Sequence, residues 1–135
     1  MRPVISLRTE MLVIGLLLAA GLSGAALGRG AAPAGPPAAV DLAGRVGCTG
    51  AHAGNPTGGE RELVMCRIGD RDVTVVTFGD NTGRDDWLGD ARAEVVTLGL
   101  FGAPEALVYG DRWAVRTADL AAADRFAAAL HGWRV

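Results

Sequence analysis

Residues 63–78 read LVMCRIGDRDVTVVTF, and this stretch decides the fold. Val73 to Thr77 is an unbroken β-branched run, whose side chains are stiff about χ1 and fit a pleated surface. Leu63–Ile68 precedes it across Gly69-Asp70-Arg71. Two extended runs divided by a Gly-Asp turn predict an antiparallel hairpin.

The turn recurs. Ile68-Gly69-Asp70-Arg71 matches Tyr109-Gly110-Asp111-Arg112, which divides a predicted strand Ala106–Tyr109 from another, Trp113–Arg116. Each hairpin is followed by a predicted helix. The first spans about Thr82–Arg92, with Asp80, Asn81 or Thr82 able to cap it and Trp87, Leu88 and Ala91 toward the sheet. The second is capped by Thr117 and runs to His131, with Leu120, Ala123, Ala127 and Leu130 as its apolar stripe, Phe126 beside them, and Gly132 as its C-cap. Between the units, Glu94–Leu100 reads as a further strand, broken by Phe101-Gly102-Ala103-Pro104. Upstream, residues 37–47 read as a short helix and 49–60, with four glycines and a proline, as a loop. The class is α+β, a mostly antiparallel sheet with helices packed on one face. A duplicated ββα unit is one reading of the echo; a favourable hairpin turn used twice is the other.

Working outward, Met11–Leu27 contains one polar residue, Ser23, and follows Arg2 and Arg8. Positive charge ahead of an apolar run predicts export. As a helix the run spans roughly 25 Å against a hydrocarbon core of about 30 Å, so a retained anchor and a cleaved signal peptide both stay open. Small residues near Ser23–Gly28 suit cleavage. Residues 28–37, GRGAAPAGPP, read as a linker, leaving 38–135 as the domain. The expected location is extracytoplasmic, held at the membrane by the N-terminal segment or released if that segment is cut.

Removing residues 1–30 takes away Arg2, Arg8, Arg29 and Glu10 and leaves ten arginines against fourteen carboxylates, a formal charge of −4. Such a body has no electrostatic footprint for nucleic acid and no attraction to an anionic surface. The chain has no Lys and no Gln, and its only serines are Ser6 and Ser23. The domain therefore holds no serine nucleophile, no P-loop lysine and no Schiff-base lysine. No motif names a cofactor.

Cys48 and Cys66 are the only cysteines. An even count in an exported domain predicts a disulfide; zinc binding with His52 and a redox pair are the alternatives. Asp80–Asp86 is acidic, but its spacing fails the EF-hand pattern, and Asp85 and Asp86 sit well beside a helix N-terminus. Trp87, Trp113, Trp133, Phe78, Phe126 and Tyr109 read as core, with Trp133, nearly terminal, as the one placed to stand half-exposed. Trp133, His52, Asp85 and Asp86 are the candidate ligand contacts.

Cys48-Thr49-Gly50, Cys66, Thr77-Phe78, Trp87-Leu88 and Gly110-Asp111-Arg112-Trp113 resemble a loose group of small, exported, membrane-anchored two-cysteine proteins of GC-rich bacteria, over about residues 38–132. The resemblance implies location and a disulfide, and carries over no catalytic residue. The expected function is a non-enzymatic envelope module that binds another envelope protein. A small-ligand or metal-binding module and a carboxylate- or His52-dependent hydrolase are the alternatives.

Overall fold

The computed structural model describes residues 35–135; the apolar run and linker residues 28–34 lie outside them. Six strands and three helices follow in the order α1 (Ala39–Arg45), β1 (Thr49–Ala53), β2 (Glu60–Ile68), β3 (Arg71–Phe78), α2 (Asn81–Leu100), β4 (Ala106–Gly110), β5 (Trp113–Thr117), α3 (Leu120–Leu130) and β6 (Trp133–Arg134). They build one sheet of order β1-β2-β3-β5-β4-β6, in which every pairing is antiparallel. Among the described residues, no helix is long and apolar enough to cross a membrane.

Strand alternation sorts the core into two layers. Val64, Val75, Val115 and Val108 stand opposite one another across four strands. With Cys66, Val73 and Trp113 they pack against Leu42 of α1 and Ala123, Phe126 and Leu130 of α3. The alternate row, Leu63, Val76, Ala114 and Tyr109, meets Leu88, Ala91 and Val95 of α2 together with Phe78 and Leu107. The helices thus cover both faces of the sheet rather than one.

The echoed turns explain this distribution. In the first hairpin Ile68 pairs with Arg71, so Gly69 and Asp70 make the turn, with Gly69 at φ 63°. In the second Gly110 pairs with Trp113, so Asp111 and Arg112 make it, and Arg112 takes the positive φ of 59°. The same Gly-Asp-Arg is used one residue out of step. A one-residue slip exchanges the two faces of a strand. Ile68 accordingly faces the α1–α3 layer, while its counterpart Tyr109 faces α2.

Two further expectations are corrected. Glu94–Leu100 is the second half of α2, not a strand. Its β-branched residues invite an extended reading, but Leu88, Ala91, Val95 and Leu98 recur at helical spacing and turn toward the sheet. Gly102 is the helix terminator: at φ 79° it gives its N–H to Gly99 O, and Ala103 N donates to Leu98 O at 3.0 Å, a Schellman closure. The 49–60 segment is not all loop, since β1 pairs with β2 across a bulge between Thr49 and His52. All five β1 residues are exposed, which removes the alternation that would have marked it as a strand.

The caps follow local chemistry. Asp80 accepts from Gly83 N at 2.8 Å, and Asp119, rather than Thr117, caps α3 by accepting from Ala122 N at 3.0 Å. At the end of α3 it is His131 that turns left-handed, with φ 52°. Gly132 is needed for space instead: a Cβ there would stand 2.6 Å from the Trp113 ring and 2.7 Å from Tyr109 O.

Cys48 and Cys66 are bonded, with Cα atoms 5.7 Å apart. The bond joins the end of α1 to the buried side of β2 and agrees with an extracytoplasmic domain.

Candidate functional site

The best-defined exposed arrangement lies where α2 begins beside the β4–β5 turn. Asn81 clasps that turn twice, giving its Nδ2 hydrogen to Asp111 Oδ1 at 2.9 Å and accepting from Arg112 N at 2.8 Å. The Asn81 amide is the main reason the Asp111 carboxyl titrates below its ordinary range; partial desolvation opposes it, and Arg112 and Arg84 add to the lowering.

One turn along α2, Arg84 reaches over the sheet. Its Nη1 donates to Gly110 O at 2.6 Å, while Nε and Nη2 donate to Asp85 Oδ1 at 2.9 and 2.7 Å. The guanidinium carbon lies 5.3 Å from the centre of the Tyr109 ring. Tyr109 in turn packs on Trp133, with ring centres 5.8 Å apart and planes inclined by 33°. Strand pairing enforces this contact, because Tyr109 and Trp133 are register partners between β4 and β6, and Val135 N closes the strand on Leu107 O at 2.9 Å. Trp133 is nevertheless 61 % exposed. The result is a ladder, Arg84–Tyr109–Trp133, ending in an indole that is supported from behind and open in front.

Of the four candidate contacts, the structure links Asp85 to Trp133 through this ladder and separates the other two from it. His52 lies on β1, at the opposite edge of the sheet, and its Nδ1 is 3.0 Å from Gly50 O. It borders an apolar recess of about 410 Å³ between Val40, Pro56 and Leu63. Asp86 lines a second recess of about 380 Å³ with Glu60, Trp87, Asp90 and Glu94. There Glu60 accepts from Trp87 Nε1 at 2.9 Å, and Arg116 bonds Glu94 at 2.5 Å and also Glu105. Burial alone would lower the Arg116 pKa, but its two carboxylate partners outweigh that and raise it. Among the described residues, no three of His, Cys, Asp or Glu come together in a way that could hold a metal ion.

Arg84 and Tyr109 are the members of the ladder that sequence reasoning missed. Tyr109 reads as core, and Arg84 reads only as the residue that occupies a ligand position where the EF-hand spacing of Asp80–Asp86 fails. Their partnership depends on β6 folding back onto β4, and a strand of two residues carries almost no pattern of its own.

Chemically, the ladder offers a flat π surface with a carboxylate and a guanidinium behind it. It can hold a ligand or a partner side chain. No protein-family model, no curated protein and no solved structure matches this chain.

Proposed function

We propose that this chain is an exported, membrane-tethered, non-enzymatic binding module of the cell envelope, and that its binding surface is the Trp133 end of the ladder. The reading is carried by one observation: Trp133 is 61 % exposed yet held in place by Tyr109 and by strand pairing. A large aromatic side chain already fixed in place loses little entropy on binding, which is why Trp and Tyr anchor so many interfaces. The disulfide and the positively led apolar run Met11–Leu27 support the location.

Chemical crosslinking of the full chain in intact cells tests it. A specific adduct is expected for the native protein, retained by Trp133→Phe and lost in Trp133→Ala. Because the indole is largely exposed, both variants keep near-native melting temperatures. Absence of any adduct, or an adduct indifferent to Trp133→Ala, would overturn the assignment.

A further inference from the structure

The end of α2 is the most apolar exposed feature of the domain. Val96 is 65 % exposed and Leu100 and Phe101 are each 82 % exposed. Glu94, paired with Arg116, is the last ionic tie between the helix and the sheet. From there Val95–Pro104 runs without a charge until Glu105. Val96 and Leu100 lie four residues apart, on one side of the helix. Phe101 follows at the cap.

The backbone at this apex is closed on itself. Ala103 N and Gly102 N return to the carbonyls of Leu98 and Gly99, and Pro104 has no N–H to satisfy. An uncharged apex where the Leu98 and Gly99 carbonyls are already bonded suits a lipid interface, where unpaired backbone groups are costly.

We propose that the Val96–Leu100–Phe101 apex inserts into the interface of the bilayer that holds the N-terminal apolar run. The proposal rests on the tethered reading above. A linker of the length of 28–37 spans at most roughly 33 Å, about the width of a folded domain of this size, so a tethered domain stays beside the bilayer. The tether keeps the apex at high local concentration beside the bilayer, so a weak apolar contact there is occupied. The carboxylates that flank the uncharged run, Glu94 and Glu105, are both bonded to Arg116, and Arg92 stands a full turn before Val96, so insertion is driven by apolar contact and needs no anionic lipid.

The test uses the full chain reconstituted in phosphatidylcholine vesicles, with and without bromine on the acyl chains. The native protein is compared with Phe101→Trp and with Phe101→Trp combined with Leu100→Asp. The chain is expected to float with the vesicles. The fluorescence added by Phe101→Trp is expected to be quenched by brominated lipid beyond the native signal, equally at low and high salt and with phosphatidylglycerol included. Leu100→Asp is expected to abolish that excess; all of these positions are exposed, and melting curves check that each variant is folded.

A chain that floats without excess quenching overturns the insertion and leaves the tether standing. A chain that does not float overturns the tether, and the insertion with it. Excess quenching that survives Leu100→Asp reports only the introduced indole and overturns the proposal. So does a signal from the Phe101→Trp variant that is indifferent to lipid but follows protein concentration, which would place a second copy on the apex.

Discussion

Replacing both Cys48 and Cys66 by Ala should cost far more than two small side chains suggest. The bond closes a segment with a sequence separation of 18. In the chain-entropy account, opening a loop of that size releases the unfolded state by about 3 kcal/mol. Cys66 is 2 % exposed and packs in the α1–α3 layer, so losing its sulfur adds about 1 kcal/mol of core contact. Against the roughly 5–15 kcal/mol typical of whole domains, a total of about 4 kcal/mol is severe. Urea denaturation followed by tryptophan fluorescence reads it as a lower midpoint, and heating reads it as a melting temperature lower by roughly 15–25 °C.

The loss also has a location. β1 buries no side chain and is held by pairing with β2 and by the covalent link just before it. Hydrogen exchange in the double variant should therefore show β1 amides opening well before those of β3 and β5, whose residues Val75 and Val115 are wholly buried. A stability change below about 1 kcal/mol would refute the reasoning. So would equal loss of protection in β1 and β3.

Three other outcomes are expected. Thr77 is buried, and its Oγ1 has no hydrogen-bond partner among the described residues, so Thr77→Val should raise stability by about 1 kcal/mol in the same urea assay. Gly132→Ala should lower it by about 1–3 kcal/mol, because its Cβ meets both the Trp113 ring and the Tyr109 carbonyl. Asn81→Ala should move the Asp111 titration upward toward the ordinary carboxylate value, as seen by carboxyl-carbon NMR. A carboxyl whose folded pKa is lowered stabilises the fold above its unfolded value and loses that contribution as pH falls through the folded one, so the gap between the native chain and Asn81→Ala should be wider at neutral pH and narrow in acid below the folded value to what the lost Arg112 N bond alone leaves.

How much of this was legible in the sequence depends on where the information lies. Val73–Thr77 and the Gly69-Asp70 turn are local, and local chemistry names both the hairpin and the α+β class. The pairing of Cys48 with Cys66 follows from count and compartment. The extension of α2 through Leu100 was readable in principle, because Leu88, Ala91, Val95 and Leu98 keep helical period; the β-branched Val95-Val96-Thr97 masked it. The two-faced packing was hidden by the echo itself, since identical letters do not reveal a turn displaced by one residue. The ladder at Trp133 was the least legible feature, because Arg84, Tyr109 and Trp133 meet only after three separate elements have assembled. Phe101 and Leu100 were visible as apolar letters, but exposure belongs to the folded surface.

The position of the disulfide also sets how the domain bears load. On the tethered reading proposed above, any pull arrives through the chain that leads into α1. Under force, α1 can peel from the sheet, since it is a single short helix of seven residues. The peeling front then meets Cys48, whose covalent partner sits in β2, beside the centre of the sheet. From that point tension passes directly to β2, and β1, lying within the closed loop, carries none of it. About ten residues, 39–48, unreel into roughly 35 Å of extended chain before the bond stops them. The link therefore acts as a mechanical stop, letting a tugged molecule stretch without surrendering its sheet.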